Sequence, residues 1–383
     1  MVSAILHLFK ESVEFNLATF LPKINCKPVT GAAFSIARYK IKIEFFHELC
    51  NLMAAHISSL KPKLWKGFRL IAGDGTTIGL PASPKIKTHF GIYELTKGGT
   101  HTVLANCAIL YDVLSNLIID TTMDLMSKGE ITLMNQLIDK VSFSNTILLL
   151  DRGFGYFSVC KRLSNKQLDF CIRLKAKGCS FAKAALANPG NDYITDWIPS
   201  ESERSTCKKH DLDIKPIRVR VTKVILNTGE IEVLVSSLLD FKKISELEMK
   251  ELYAMRWGVE EGIKKLKPKM KLEQFGCRVP QGVYQEFYAH IFMMNMVTIL
   301  GNQAQEEIEV KTKNRKGKYQ YNWQTAFNLV REQFALLFNF ETIEYILELL
   351  NNQIMGSLTM IKPGRSFERH RDKRKHRFVQ CYK

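Results

Sequence analysis

The sequence lacks the patterns that mark several common classes of protein. Its 9 cysteines are scattered, without a C-x-x-C pair or a paired histidine spacing, which excludes a zinc site built on those motifs. The most apolar stretch, residues 288–300, is too short to span a bilayer and contains His290 and Asn295, so we expect a buried helix there. Residues 1–9 show neither a basic segment nor a cleavage site. We therefore expect a protein of the reducing cytoplasm with no membrane partner.

Acidic residues are in the minority. The 383 residues include 38 Asp and Glu against 55 Lys and Arg, a formal net charge of +17, which indicates a polyanionic partner. Hydrophobic residues make up 46%, which is typical of a globular chain with room for two or three domains. The basic residues form three clusters, at 264–271, 311–318 and 362–383. Each cluster is either a phosphate-binding surface or a solvated stretch.

One segment combines a carboxylate with a phenol and two cations. On a regular helix, at roughly 100° per residue, Tyr253, Arg256, Glu260 and Lys267 project within an arc of about 60°, whereas Glu261 points about 100° away. Any one of them alone is typical of a solvated helix face. Together they favour a site for a phosphate group and metal ions, because a carboxylate that is removed from water needs a partner.

Two aspartates follow apolar runs. Asp74 ends the run Phe-Arg-Leu-Ile-Ala-Gly, and Asp151 ends the run Thr-Ile-Leu-Leu-Leu. Such runs predict buried strands, and an acid where a strand leaves the core is partly desolvated yet reachable by a ligand. An aspartate at such a place also serves as a turn former or helix cap. Asp74, Asp151 and Glu260 together favour a catalytic site.

These residues resemble the DDE transposases of bacterial insertion sequences, in the insertion-sequence-four group with its Y-(2)-R-(3)-E-(6)-K signature. The four helix residues match that signature, and the Gly-Asp74-Gly-Thr-Thr and Leu-Asp151-Arg-Gly-Phe segments are similar to the family's two aspartate motifs. Weaker similarity covers residues 33–38, 111–114 and 365–369.

The resemblance implies a metal-dependent enzyme that cleaves DNA at the element ends and joins them to a target, by a cut-and-paste route. Two Mg²⁺ or Mn²⁺ ions, about 4 Å apart, would activate the nucleophile and stabilise the leaving group. Asp74 would bridge the ions, Asp151 would hold one, and Glu260 the other. The residues expected to bind DNA phosphate are Tyr253, Arg256, Lys267, Lys264 and Arg152.

The implied partners are double-stranded DNA, as terminal inverted repeats and target DNA, and a second copy of the chain, because two ends need two active sites. The protein would act in the bacterial cytoplasm, at the nucleoid when bound to DNA. Two alternatives stay open. One is an RNase H-like nuclease that cuts without joining, and the other is a repurposed DNA-binding protein without catalysis.

The element pattern predicts an α/β fold: an RNase H-like mixed-sheet catalytic core, interrupted by a mainly β insertion, with helical N- and C-terminal regions. Strands are expected at 69–74, 103–111, 116–122, 146–151 and 169–174, and helices at 131–140 and 156–165. The predicted regions are 1–68 (helical, with possible contacts to end DNA), 69–177 (core), 178–244 (β-rich insertion), 245–305 (core with the Glu260 helix) and 306–383 (helical, with a basic tail).

Two other residues are weighed as possible site residues. Asp112 lies in a turn-like segment, where aspartate is favoured for local hydrogen bonding. Trp197 in the insertion suits either the core or stacking on an extruded base. We expect a structural role for both.

Overall fold

The structure is a computed structural model that describes residues 1–7, 11–59, 61–94, 101–176, 178–226, 229–338 and 342–362. Three sequence features lie outside these residues: the Gly98–Gly99 turn, positions 227 and 228 of the predicted hairpin turn, and the basic tail beyond Lys362, with residues 365–369. The chain divides into two units. The first contains residues 1–57, 78–105 and 264–383, and the second contains residues 58–77 and 106–263.

The second unit holds the strands and helices that were predicted for the catalytic core, and in the insertion it adds the strand Asp192–Trp197 and two helices that were not predicted. Its strands, some of which continue beyond the unit, are β1 (Arg69–Leu80), β3 (His101–Asp112), β4 (Leu117–Leu125), β5 (Thr146–Leu150), β6 (Asp169–Leu174), β7 (Asp192–Trp197), β8 (Ile217–Ile225) and β9 (Ile231–Ser236). Its helices are α6 (Glu130–Lys140), α7 (Phe157–Asn165), α8 (Ser180–Ala187), α9 (Glu201–Lys209), α10 (Glu246–Ala254) and α11 (Gly258–Lys264).

These strands form one mixed sheet. Strands β3, β1, β5, β6, β9, β8 and β7 are hydrogen-bonded in that order, and β4 pairs with β3. The β1–β5 and β5–β6 pairs are parallel, whereas β6–β9, β9–β8 and β8–β7 are antiparallel. Strands β1, β3 and β4, then α6, β5, α7 and β6, then the α11 helix follow the predicted order. The α/β fold class with an RNase H-like mixed sheet is therefore confirmed.

The first strand is longer than predicted. β1 does not end at Asp74 but continues to Leu80, so Asp74 lies within the strand. The reason is that Gly73 and Gly75 do not make a turn. A Cβ at Gly73 would approach Leu150 Cδ2 to 2.5 Å, so this glycine allows close packing within a strand. Thr76 and Thr77 then favour extended backbone. What changes at Asp74 is burial, since residues 69–73 are buried and 74–77 are half-buried.

The predicted hairpin in the insertion is confirmed as the antiparallel β8–β9 pair. It does not stand apart from the core sheet, because β9 pairs with β6 from Cys171 to Leu174. Trp197 at the end of β7 is fully buried, stacked on Phe181 at 4.6 Å and edge-on to Phe157. The core role expected for Trp197 is confirmed, and this ring is not available for a DNA base.

Asp112 forms the turn between β3 and β4, as the sequence predicts. Its Oδ1 atom accepts hydrogen bonds from the backbone N–H groups of Leu114 and Ser115, at 3.1 and 2.9 Å. Its Oδ2 atom lies 3.4 Å from Nε of Arg69, and both side chains are buried. Burial raises the pKa of Asp112. The residue thus has a structural role at the end of the hairpin.

Replacing Asp112 is expected to destabilise the fold strongly. Asp112→Ala leaves the buried Arg69 guanidinium without its charged partner, and such losses typically cost about 3–5 kcal/mol of unfolding free energy. Urea unfolding followed by circular dichroism measures the change. The control is Asp124→Ala, which breaks the more exposed pair with Lys128 and should cost under about 1 kcal/mol. Equal stability of the two variants would contradict the assigned role of Asp112.

The first unit is mainly helical. Its elements are α1 (Val2–Leu6), α2 (Val13–Phe20), α3 (Gly31–Arg38), α4 (Ile43–Ser59), α5 (Pro84–Phe90), α12 (Pro280–Thr312), α13 (Trp323–Gln333) and α14 (Ile343–Gly356), with the short strands β2 (Tyr93–Glu94), β10 (Tyr319–Tyr321) and β11 (Leu358–Met360). The apolar stretch at 288–300 lies within α12 and is mostly buried, as predicted. Among the described helices, none combines the length and the apolar character needed to cross a membrane.

The basic residues of the N-terminal helices are not all available to DNA. Arg38 is buried, with Nη1 3.1 Å from Glu286 Oε1 and Nε 3.2 Å from Gln285 Oε1. The Gln285 amide in turn donates to the carbonyl oxygens of Arg38 and Ile41. Arg38 therefore connects α3 to α12, whereas Lys40 and Lys42 are exposed.

Candidate functional site

Two acidic residues lie side by side on neighbouring parallel strands. Gly73 of β1 is paired with Leu150, the last residue of β5, and the next residues along the chain are Asp74 and Asp151. Because paired strands are about 4.8 Å apart, Asp74 within β1 and Asp151 directly after β5 stand at adjacent positions. Each carboxylate also accepts a nearby backbone N–H, Asp74 from Gly75 at 2.9 Å and Asp151 from Gly153 at 2.8 Å. The sheet register thus brings together two residues that are 77 positions apart in the chain.

Two glycines on α11 bring Glu260 close to the sheet. A Cβ at Gly262 would lie 2.8 Å from Tyr111 Cε2, and one at Gly258 would lie 3.2 Å from Val113. These glycines are one helical turn apart, and Tyr111 and Val113 stand at the end of β3, so the helix packs directly on that strand. Glu260 lies between the two glycines and is half-buried.

The segment from Tyr253 to Lys267 is not one regular helix, so the arc computed from the sequence is wrong in detail. Tyr253 lies in α10, Arg256 in a 3₁₀ turn (Met255–Trp257), Glu260 in α11, and Lys267 in a π turn (Lys265–Lys269). The π turn contains Pro268, which has no backbone N–H to continue an α-helix. A uniform 100° step cannot describe such a segment.

Arg256 joins Glu260 to the aspartates. Its Nη2 atom lies 2.8 Å from Glu260 Oε1, and its Nη1 atom lies 4.0 Å from Asp74 Oδ2. The guanidinium is buried and lies over the Trp257 ring, 4.9 Å from the centroid. Burial disfavours its charged form, but the hydrogen bond of Glu260 and the charges of Tyr253, Glu260 and Asp74 together outweigh that effect, so the pKa of Arg256 is raised. A single cation thus stands between two of the three predicted catalytic acids.

Asp74 carries the clearest electrostatic perturbation of the site. Its pKa is raised to about 6, first because it is buried and then because of the negative charge of Asp151, with a smaller contribution from Glu260. The Arg256 charge and the Gly75 hydrogen bond oppose this rise without cancelling it. The charges of Asp151 and Glu260 thus both act on Asp74, and the Arg256 charge only partly compensates them.

The donor set suits a hard divalent cation, since Mg²⁺ and Mn²⁺ prefer carboxylate oxygens. Among the described residues, no group of three or more Asp, Glu, His or Cys side chains is placed to hold a metal ion. Arg256 lies between Asp74 and Glu260 and compensates part of their negative charge. The residues fit a divalent cation in donor chemistry and in charge.

The predicted phosphate-binding residues differ in accessibility. Arg152 is exposed in the loop after Asp151, whereas Tyr253 is buried, which raises the pKa of its phenol. Lys264 and Lys267 belong to the first unit, where the Lys267 ammonium is 3.1 Å from Glu273 Oε1. In the same basic cluster, the ammonium groups of Lys265 and Lys269 lie over the Trp323 ring.

Sequence reasoning missed Glu130, the first residue of α6. Its carboxylate lies against Gly75, directly after Asp74 on β1. Glu130 is exposed overall, yet partial burial of its carboxylate raises its pKa, and the charge of Asp151 adds to the rise. Local sequence shows only an acid in the first turn of a helix, which is common for any helix. The one available signal was Gly75, a glycine inside a strand that indicates the close approach of another group.

Comparison with known proteins identifies the family. Residues 65–296 match the transposase DDE domain family, and this range contains all three predicted catalytic acids. The transposase InsG for insertion sequence element IS4 of Escherichia coli (strain K12) is 23% identical over 239 residues, covering 61% of this chain and 52% of that protein. The chain thus spans about half the length of that relative. A solved chain of the piggyBac transposase synaptic complex with hairpin DNA is similar over 80% of this chain and 60% of its own, with 11% identity and a TM-score of 0.44. Because the family match covers more than half of the sequence, the chain belongs to the DDE transposase family.

Proposed function

We propose that this protein is the DNA transposase of a bacterial insertion sequence. It cleaves phosphodiester bonds at the element ends with the help of divalent metal ions and transfers the freed strands to target DNA in a cut-and-paste reaction. Asp74, Asp151 and Glu260 are the proposed metal ligands. The observation that supports this most is the β1–β5 register, which puts Asp74 and Asp151 at adjacent positions, with Glu260 tied to Asp74 through Arg256.

The chemistry follows from the charges of the site. Two Mg²⁺ or Mn²⁺ ions, when bound, would activate the attacking oxygen and compensate the charge that develops on the phosphate. Asp74 is the proposed shared ligand, because it is the acid on which the other two carboxylates act. Arg256 is the proposed contact to the DNA phosphate, where its planar guanidinium would contact two oxygens at once.

The remaining phosphate contacts are proposed from the family signature and from exposure. Arg152 is exposed next to Asp151 and suits the DNA backbone near the cleaved bond. Lys264 and Lys267 are proposed to contact phosphates farther along the end, in exchange for contacts such as Lys267–Glu273. Tyr253 suits a positioning role beside Arg256, because its ring is buried. Two copies of the chain would act together, one for each element end.

A strand-transfer assay tests this function. The purified protein is incubated with Mg²⁺, a target plasmid and a labelled duplex that carries the terminal sequence flanking the coding region and a free 3′-hydroxyl. We expect the label to become covalently joined to the plasmid. The matched control is the same duplex with a 3′-deoxy end, which binds but has no nucleophile to transfer.

Each alternative function gives a different result. Nicking of the end without any joined product would identify a nuclease that lacks transferase activity. Binding of the duplex without cutting, at all Mg²⁺ and Mn²⁺ concentrations, would identify a non-catalytic DNA-binding protein. Either result would contradict the proposal.

A further inference from the structure

The second basic cluster of the sequence, at 311–318, lines a groove. The groove has a volume of about 490 Å³ and lies between the last two turns of α12, the loop that follows this helix, and the residues at one end of the β10–β11 pair. All of its lining residues belong to the first unit, so this basic groove contains none of the proposed metal ligands. Its charged residues are one acid, Glu309, and four cations: Lys313, Arg315, Lys316 and Lys318.

The loop that carries these cations is held by the fold at both ends. The backbone N–H of Arg315 donates to the carbonyl oxygen of Thr312 at 2.9 Å, which fixes the loop to the end of α12. The carbonyl oxygen of Lys318 accepts a hydrogen bond from the N–H of Ile361 at 2.8 Å, which extends the β10–β11 pairing into the loop. The cluster is therefore the wall of a formed groove and not a solvated stretch.

The four groove cations do not neutralise acids of the protein. Within the described ranges of the chain, none of them forms an ion pair with a carboxylate. By contrast, the neighbouring Lys311, which does not line the groove, lies 3.9 Å from Glu307 Oε2. The guanidinium of Arg315 lies over the Tyr319 ring, 5.3 Å from its centroid, a contact that orients the group without removing its charge. The groove thus keeps a positive charge that is left for a ligand.

The dipole of α12 does not account for this charge. Cations are favoured at the C-terminus of a helix, but the effect falls off within the last turn. It explains basic residues at positions 311 and 313, where the helix ends. Arg315, Lys316 and Lys318 follow three to six residues beyond Thr312, the last residue of α12. Cations gathered around one groove repel one another, and a bound polyanion removes that repulsion.

Two uncharged polar side chains of the groove are already bonded within the protein. The Gln305 amide donates to the carbonyl oxygen of Tyr319 at 3.0 Å, and its Oε1 atom accepts from the N–H of Tyr321 at 3.1 Å. The Thr312 hydroxyl donates to the carbonyl oxygen of Ile308 at 2.7 Å. Amides and hydroxyls are among the groups that read base edges, whereas lysine and arginine are the usual contacts to phosphate. The groove therefore suits phosphates of any base sequence.

We infer that the basic groove binds the phosphate backbone of duplex DNA without reading its sequence, as a contact additional to those of the proposed catalytic site. The lysines supply point charges, and the Arg315 guanidinium supplies a planar fork for two phosphate oxygens. The choice of DNA among polyanions rests on the proposed function. The location of the contact rests on the groove alone.

The salt dependence of DNA binding tests the inference without relying on activity. The full chain is titrated in a chelator, so that no DNA is cleaved, against a labelled duplex of random sequence at salt concentrations of about 50–200 mM. Each of Lys313→Gln, Lys316→Gln and Lys318→Gln should lower the slope of log K against log salt by about 0.9. The triple variant should lower it by about 2.7 and weaken binding on the order of 10²-fold at about 0.1 M salt.

Two matched variants of the same segment serve as controls. Lys311→Gln makes the same charge change outside the groove and should leave the slope unchanged. Glu309→Gln removes the one acid of the groove and should tighten binding by about two- to fivefold, the range for a single exposed charge. All of these side chains are exposed, and thermal unfolding of each variant checks that the fold is retained. The single variants carry the test if the triple variant does not fold.

A second duplex with the terminal sequence of the element tests the independence from sequence. The triple variant should lose affinity for the end duplex and for the random duplex by the same factor. A loss confined to the end duplex would show that the groove reads sequence, which contradicts the inference. Tighter binding of a duplex RNA of the same sequence, by tenfold or more, would contradict the choice of DNA.

Failure of this inference is distinguishable from failure of the proposed function. If the triple variant binds with the wild-type slope while the wild type binds DNA and transfers strands, the groove is not a DNA contact and the proposed function stands. If Lys311→Gln lowers the slope as much as Lys316→Gln does, net charge and not the groove is responsible. If the wild type binds no duplex, the proposed function fails, and the inference fails with it.

Discussion

Glu260→Gln is expected to abolish DNA cleavage while leaving the binding of element ends largely intact. The substitution keeps the size of the side chain but removes the negative charge, and with it the ligand proposed for one of the two cations. A loss of about 10³-fold or more corresponds to about 4 kcal/mol of transition-state stabilisation, which is in the range of a metal ion that compensates developing charge. Cleavage of a labelled end in Mg²⁺ and a gel-shift titration in Ca²⁺ measure the two properties separately.

End binding should survive because Arg256 remains. Glu260 Oε1 accepts a hydrogen bond from Arg256 at 2.8 Å, and the amide oxygen of glutamine retains that acceptor. An uncharged residue 260 also binds the Arg256 guanidinium less strongly, so Arg256 should bind a DNA phosphate at least as well as in the wild type. Glu261→Gln, one residue along the same helix, is the matched control and should cleave normally. If Glu260→Gln loses end binding and cleavage together, its role is structural or DNA-binding and not that of a metal ligand.

Much of the fold follows from local sequence pattern. Runs such as Thr-Ile-Leu-Leu-Leu before Asp151 encode buried parallel strands, because both faces of such strands are covered. The 169–174 strand was predicted with its observed bounds, and the 131–140 helix within one residue. In these elements the apolar residues recur with a clear period, and residues that break a helix or strand mark the ends. The strand containing Asp74 was predicted too short, since its glycines serve close packing and not a turn.

The parts that sequence did not predict depend on contacts between distant segments. The pairing of β9 with β6 joins residues 59 to 65 positions apart, so the insertion extends the core sheet in a way that no local pattern encodes. The Arg256 contacts with Asp74 and Glu260 similarly depend on a 3₁₀ turn that interrupts the helix. The position of Glu130 against Gly75 depends on how α6 packs on β1, which the local sequence does not encode.

Asp74→Asn is expected to stabilise the metal-free protein at neutral pH and to abolish its activity. In the folded protein, burial and the charges of Asp151 and Glu260 raise the pKa of Asp74 from 3.8 to about 6. Ionising this group above pH 6 is therefore unfavourable for the folded state, by on the order of 2–3 kcal/mol. Asparagine has no charge to place there. Urea unfolding in the presence of a chelator, at several pH values, measures the gain.

The pH dependence has a definite sign. A folded pKa above the unfolded value means that the folded state binds more protons between about pH 4 and pH 6, so stability falls as pH rises through this interval. The stabilising effect of Asp74→Asn should be small at pH 4, grow up to about pH 6, and stay constant above it. Asp124→Asn is the control, because the Asp124 carboxylate is paired with Lys128, outside the proposed site.

Metal ions should make the wild type more stable than Asp74→Asn, which is the reverse of the order expected in chelator. Wild-type protein gains unfolding free energy from Mg²⁺ or Mn²⁺ by RT ln(1 + [L]/Kd), where [L] is the free metal concentration, whereas Asp74→Asn lacks the shared ligand and gains little. The same Asp74 carboxylate thus weakens the metal-free fold and strengthens the metal-bound one, which is the energetic pattern of a ligand and not of a structural acid. A lower stability of Asp74→Asn at pH 7 in chelator, comparable to that of Asp112→Ala, would assign Asp74 to the fold.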